Sequence, residues 1–417
     1  MSATIAEKVL ARASGLKEVA PGDYVTAKID VAMAHELAAY LIEPLARAGV
    51  KKIWDIDRVV MLLDHWVPAP TEKVAEMHRR IRNFAKTQGI RNWYEIGEGI
   101  CHQILPEKGH VRPGELIVGT DSHTITYGAF GAAATGIGVT EMAVVFATGE
   151  LWFRVPESIK FVINGKLKPM VMSKDVILHI AGKYGVEVAQ YKSVEFEGST
   201  VQNMSVSSRM TICNMSVEIG AKFGLVAPDQ KTIAFLKTRT RKPFTVVKSD
   251  SDAAYEKTCE VDVSDLEPQV ACPHSVDNVK SVNEVQNVKI DQALLGSCTN
   301  GRLEDLEVAA QIVRGKKVHP DVRFLVIPAS REVYKAALGK GLIDIFIDAG
   351  GVVCNPTCGP CLGGHLGVLA DGEKCIASTN RNFKGRMGSD KAEVYLASPA
   401  TVAASAVAGK IANPRMF

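Results

Sequence analysis

Short apolar runs recur along the chain, and each one ends in a cluster of glycine, proline or small polar residues. Residues 58–63 run into Asp64-His65, and Pro68 and Pro70 close the turn. Residues 93–96 lead through Gly97-Glu98-Gly99 to Cys101-His102-Gln103, and residues 115–118 lead through Gly119 to Asp121-Ser122-His123-Thr124. Between these runs lie stretches with helical spacing, among them Ile5, Val9 and Leu10 at the start and residues 71–86 further on. Strands alternating with helices predict α/β architecture with a parallel, doubly wound sheet. In such sheets ligands bind beyond the carboxyl ends of the strands, so polar clusters that follow strands converge on one crevice.

The last third repeats the device. Residues 289–295 read as a strand ending at the loop of Cys298, with a helix from Arg302. Residues 322–327 read as a strand and 331–338 as a helix. A third strand, 343–353, leads to Cys358, and a fourth, 373–378, leads to the loop 380–386. Ser398-Pro399 then caps a helix of small residues, 400–408. The middle is mixed: a strand and turn at 161–165, a helix from Ser173 to Tyr184, a stretch at 210–223 carrying Asn214 and Glu218, and a polar surface segment at 249–260.

Composition narrows the class. The chain has 417 residues, 47% hydrophobic and 23% charged, which gives ample core for two or three domains. Lys and Arg number 49 against 46 acids, a net of +3, so no basic field for nucleic acid or membrane follows. Nine cysteines in so long a chain make no dense disulfide framework, which points to a reducing, cytoplasmic setting. Residues 2–17 lack a secretory apolar core. The weakly charged stretch 127–146 is rich in glycine and reads as a loop and a buried helix, not a membrane span.

Three cysteines carry the chemistry. Cys358 and Cys361 share one glycine-bounded loop, and Cys298 sits in another of the same kind. A lone Cys-x-x-Cys also fits a redox pair or half of a zinc site. Three thiolates around one metal centre leave a coordination position open for substrate, where four would close it. Cys354, at the end of an apolar run, reads as a packed thiol. His65, His102 and His123 each follow a strand, and each has an acid in reach. Asp64 adjoins His65, while Asp121 and Glu218 can each orient His102 or His123. His35 is a further candidate, and His365, after the cysteine loop, reads as a supporting or packing group. Arg381 and Arg386 share one loop, and two guanidinium groups suit a di- or tricarboxylate.

The stretches Asp121-Ser122-His123-Thr124, Gly296-Ser297-Cys298-Thr299-Asn300, Cys358-Gly359-Pro360-Cys361 and Asn380-Arg381-Asn382-Phe383 resemble the aconitase superfamily, as do Cys213-Asn214-Met215 and Glu218. With the run Gly385-Arg386-Met387-Gly388, the chain is most similar to large subunits of the 3-isopropylmalate dehydratase and homoaconitase group. The resemblance implies three α/β domains of the cluster-binding type around a central crevice, over residues 1–155, 156–285 and 286–417. It implies a [4Fe-4S] cluster on Cys298, Cys358 and Cys361. It pairs Asp64 with His65, Asp121 with His102 and Glu218 with His123, and makes His65 the acid for the departing hydroxyl. Asn214, Asn382 and Ser122 then line the substrate site, and Arg381 and Arg386 hold carboxylate.

The activity so implied is a hydro-lyase acting on a small 2-hydroxy dicarboxylate. 3-Isopropylmalate in leucine biosynthesis stands first, with homocitrate or a 2,3-dimethylmalate behind it. An iron-responsive RNA-binding regulator is the alternative of another class, opposed by the near-neutral charge. In this family the base is a serine on a swivelling domain, and no segment here matches it. A separate small subunit carrying that domain is therefore expected, with neither nucleic acid nor membrane as partner. One stretch departs from the family pattern: an acid–x–threonine sequence near the substrate becomes Glu36-Leu37-Ala38, after His35.

Overall fold

The computed structural model of the chain describes residues 2–417. Among the described residues the strands form sheets of five, four, seven and two strands. The five-stranded sheet runs in the order Asn92–Tyr94, Val59–Leu62, Val31–Ala34, Leu116–Gly119, Ala133–Gly136, parallel throughout. Its three central strands are buried at every position. Both faces are covered, which is why these strands read as continuous apolar runs and not as alternating ones. The covering helix Glu72–Gln88 begins where the Thr71 side chain accepts the Val74 N–H, and it stops at Gly89 in the left-handed conformation.

The second sheet is also parallel, in the order Phe223–Val226, Ser193–Glu197, Ser158–Asn164, Lys257–Asp262. Lys257–Asp262 overlaps the stretch expected to be a polar surface segment. It is an edge strand, and only Cys259 and Val261 are buried, so its other positions are free to be polar. The seven-stranded sheet runs Val279–Ser281, Gln269–Ala271, Glu393–Ala397, Lys374–Ala377, Gln292–Leu295, Arg323–Val326, Val352–Val353. From Glu393–Ala397 onward its pairs are parallel.

We propose that these three sheets are the nuclei of the three expected domains. Gln269–Ala271 and Val279–Ser281 pair into the third sheet, so sheet membership changes before residue 269 and not at 285. A continuous apolar core joins the three, from Val31 through Phe161 and Ile212 to Leu396.

One expected strand is mostly helix. Residues 343–353 contain the helix Leu342–Ala349, and only Val352–Val353 is strand. The buried residues are Leu342, Ile343, Phe346 and Ala349, a helical spacing, while Ile347 is exposed. The short apolar run hid that period. Among the described residues no helix is long and apolar enough to cross a membrane.

Candidate active site

Parallel strands of two sheets end at one crevice. Val31–Ala34 delivers His35, Val59–Leu62 delivers Asp64 and His65, and Leu116–Gly119 delivers Asp121, Ser122 and His123. Opposite them, Gln292–Leu295 leads to Cys298, Val352–Val353 to Cys358 and Cys361, and Lys374–Ala377 to Asn380, Arg381 and Arg386. The helix Val206–Met215 supplies Asn214 and the turn Ser216–Ile219 supplies Glu218. The resulting cavity, about 280 Å³, is bordered by His65, His102, His123, Asp121, Ser122, the three cysteines, Arg381 and Arg386.

Each histidine meets a carboxylate. His65 Nδ1 lies 2.6 Å from Asp64 Oδ1, His102 Nε2 lies 2.7 Å from Asp121 Oδ1, and His123 Nε2 lies 2.7 Å from Glu218 Oε1. Asp64 and Glu218 do not border the cavity; they stand behind their histidines. Asp64 Oδ2 also accepts the Cys101 N–H at 2.7 Å. With Nδ1 held, His65 turns Nε2 towards the cavity, 3.4 Å from Asp121 Oδ2.

The environments differ. Burial opposes charge on His65, but Asp64, with Asp121 and Glu36, raises its pKa well above the ordinary histidine value. Burial likewise opposes charge on His123, and its bonds to Asp121 and Glu218 raise it. For His102 burial wins over Asp121, and the pKa falls. Asp64, Asp121 and Glu218 all lie below their ordinary values, because their histidine partners outweigh the burial that opposes ionisation.

The thiol side rests on two tight loops. Gly296 has φ 152°, and a Cβ there would sit 2.7 Å from the Ile327 carbonyl oxygen, so the approach of Cys298 requires glycine. Ser297 follows in the left-handed region at φ 74°. The second loop is tied to the first sheet: the Cys358 N–H donates to Asp64 O at 2.8 Å, and His365 Nε2 lies 3.1 Å from His65 O. A Cβ on Gly359 would lie 2.2 Å from that ring nitrogen. Cys354 is partly exposed and stands outside the cavity.

Amide and guanidinium donors face the sulfurs. Asn214 Nδ2 lies 3.3 Å and Asn380 Nδ2 3.6 Å from Cys298 Sγ, and Arg386 Nη2 lies 3.6 Å from Cys361 Sγ. Arg381 Nε donates to both Glu218 oxygens, at 2.8 and 3.0 Å. Asn382, expected to line the site, turns away: its Nδ2 donates to Cys272 O at 2.8 Å and it does not border the cavity. Asn380, two residues earlier, takes the place facing the thiols. The motif named both asparagines, and only the path of the loop separates them. Leu37 of the departing stretch also borders the cavity, as do Trp66, Ile100 and Leu362, which no motif marks.

A family model described as "Aconitase family (aconitate hydratase)" matches residues 7–288 and 278–409. The chain belongs to the aconitase family. Proteins of the aconitase family bind iron–sulfur clusters, and nine cysteines in this chain accord with that. Among similar aconitase-family proteins, a probable 3-isopropylmalate dehydratase large subunit of Methanothermobacter thermautotrophicus is 57% identical over 99% of both chains. A 3-isopropylmalate dehydratase large subunit of Methanopyrus kandleri is 54% identical over 100% of both. A probable methanogen homoaconitase large subunit of Methanothermobacter thermautotrophicus is 54% identical, over 98% of this chain and 97% of its own. The fold also matches the solved structure of Thermococcus kodakaraensis aconitase X in its holo form, with a TM-score of 0.51, 12% identity and 88% of each chain covered.

Proposed function

We propose that this chain is the large subunit of a [4Fe-4S] hydro-lyase that moves water across a carbon–carbon bond of 3-isopropylmalate. The observation that carries the reading is the single cavity in which three carboxylate-paired histidines face three thiols and two arginines. The names of the most similar relatives supply the substrate, and homocitrate, named through one of them, is the second reading.

The residues present fit a cluster on Cys298, Cys358 and Cys361. Three sulfurs border one space, and N–H donors point at two of them, as cluster sulfurs require. Buried positive charge surrounds them without carboxylate hydrogen bonds. The Arg302 guanidinium donates to Cys298 O at 2.6 Å and to Thr299 O at 2.7 Å, and the Lys174 ammonium donates to the carbonyls of Ser378 and Thr379. Such an arrangement suits a cluster made anionic by three thiolates. When bound, the cluster supplies a Lewis-acidic iron for the substrate's hydroxyl and carboxylate.

The chain's own groups do the rest. His65, kept protonated by Asp64, gives its Nε2 proton to the departing hydroxyl. Arg381 and Arg386 hold the carboxylates, and Ser122 and Asn380 orient the substrate between them. Glu218 fixes both His123 and Arg381, so proton position and carboxylate position are set by one group. The proton on the carbon beside the hydroxyl carbon needs a further positioned base, which the family resemblance implies to be a serine. We assign it to a serine on the swivelling domain of a separate small subunit, in keeping with the "large subunit" names of the relatives.

The test is anaerobic purification with and without a co-expressed small subunit. A brown protein with broad visible absorption, hydrating 2-isopropylmaleate only when both subunits are present, supports the reading. A colourless protein with stoichiometric zinc would sink it.

A further inference from the structure

The cavity's lining is of two kinds. One is polar: the thiols, Asn380 and the two guanidinium groups. The other is apolar: Leu37, Trp66 and Leu362, all half-buried at its border, Leu362 directly after Cys361. Leu37 lies in the stretch that departs from the family pattern, and the Trp66 backbone is bonded to that stretch. Glu36 is fully buried and turned inward, where one carboxylate oxygen accepts the N–H groups of Asp64, His65 and Trp66 at 3.0, 2.7 and 3.1 Å. That bond set fixes the Trp66 backbone beside the short turn Glu36–Tyr40. Ala38 is fully buried as well. Both altered positions therefore lie off the cavity, and Leu37 between them faces it. Trp66 and Leu362 meet over Gly364, where an added Cβ would lie 2.4 Å from the indole nitrogen and 2.8 Å from Leu362 Cδ1.

Charge decides what such a wall accepts. Among the described residues bordering the cavity, Arg381 and Arg386 are the only lysine or arginine side chains. Two guanidinium groups match two carboxylates. A third carboxylate, placed against leucine and indole, would lose its water and find no further lysine or arginine. A branched alkyl group placed there loses nothing and leaves water.

We propose that Leu37, Trp66 and Leu362 form the subsite for the substrate's branched alkyl group, and so select an alkyl-substituted malate over a carboxyalkyl one. The inference rests on the hydro-lyase reading above and sharpens its choice of substrate. It places part of the specificity in this chain and not wholly in a partner.

The test uses the assembled two-subunit enzyme with its cluster reconstituted. Wild type, Leu37→Ala, Leu362→Ala and Leu37→Arg are assayed for kcat/KM on 2-isopropylmaleate, 2-methylmaleate and cis-homoaconitate, with visible absorption as the check on cluster content. Each alanine variant is expected to lower kcat/KM for the isopropyl substrate about 10-fold or more, with a smaller loss for the methyl one. Leu37→Arg is expected to shift preference towards the tricarboxylate. Equal losses on all three substrates with the cluster intact, or an unchanged preference in every variant, would overturn this subsite alone. A wild-type enzyme that turns over no substituted maleate overturns the functional reading and the subsite with it.

Discussion

The two faces of the crevice are finished to different degrees. On the first-sheet face three histidines each have a carboxylate partner within the protein: His65 with Asp64, His102 with Asp121, His123 with Glu218. On the third-sheet face the thiols meet only long contacts, of 3.3 to 3.6 Å, from Asn214, Asn380, Asn380 again as acceptor, and Arg386. Buried cations there bond to carbonyl oxygens. Burial alone is the largest influence on Lys174 and takes its pKa down to about 7. The histidine–carboxylate pairs are completed within the fold, whereas the thiols are left with long contacts only. Carboxylates and imidazoles complete each other, whereas among the described residues the three thiols and the side chains of Arg302 and Lys174 have no carboxylate or imidazole hydrogen-bonded to them.

Removing the thiols should have the largest effect. Cys298→Ser, Cys358→Ser and Cys361→Ser should each abolish the broad visible absorption and all turnover, because a hydroxyl is a poor replacement for thiolate. Cys354→Ser and Cys375→Ser should keep both. A cluster that survives Cys298→Ser but not Cys354→Ser reverses the assignment.

The next effect belongs to the other face and should leave the cluster alone. His65→Gln and Asp64→Asn are expected to cost about 10²–10⁴-fold in kcat, with visible absorption unchanged. The pH profile carries the sign. His65 has a raised pKa, so its proton is held through neutral pH and lost only as pH rises through that raised value. Dehydration by the wild-type complex should therefore fall on the alkaline side, and His65→Gln should lack that limb. An alkaline limb retained in His65→Gln would assign the proton to another group.

Arg381 bridges the faces, since its Nε is bound to Glu218 while it borders the cavity opposite the first sheet. Arg381→Lys keeps the charge and loses the planar fork, so kcat/KM should fall by about 10- to 100-fold, mostly through KM. Unchanged kinetics on every dicarboxylate would remove Arg381 from the carboxylate role.

The smallest effect is electrostatic. Lys174→Met deletes one buried positive charge from the thiol face, which should favour the oxidised cluster and lower its midpoint potential in an EPR-monitored titration. A potential that does not move would mean that Lys174 serves the strand end at Ser378 and Thr379 alone.

Much of this was written in the chain. In a parallel sheet all carboxyl ends face one way, so polar clusters after apolar runs converge, and the placing of His65, His123, Cys298 and Arg381 at one cavity was legible by position. The thiol loops were legible too, because Gly296 and Gly359 mark places where a backbone comes too close for a side chain.

Local sequence did not determine pairings over long separations. Asp121 and Glu218 were each in reach of His102 or His123, and only the docking of the turn Ser216–Ile219 against Ser122–Phe130 gives Glu218 to His123 and leaves Asp121 to His102. The choice of Asn380 over Asn382 depends on the loop's path, since Asn382 is drawn off by carbonyls of residues 271–275. The run 342–349 is a helix because its period is read against a core the sequence does not display. The apolar wall of Leu37, Trp66 and Leu362 joins side chains that no motif connects. Sequence determines which chemistry a chain carries and at which strand ends it lies. Which groups touch is decided in three dimensions, because burial and hydrogen-bond satisfaction are settled between segments and not along them.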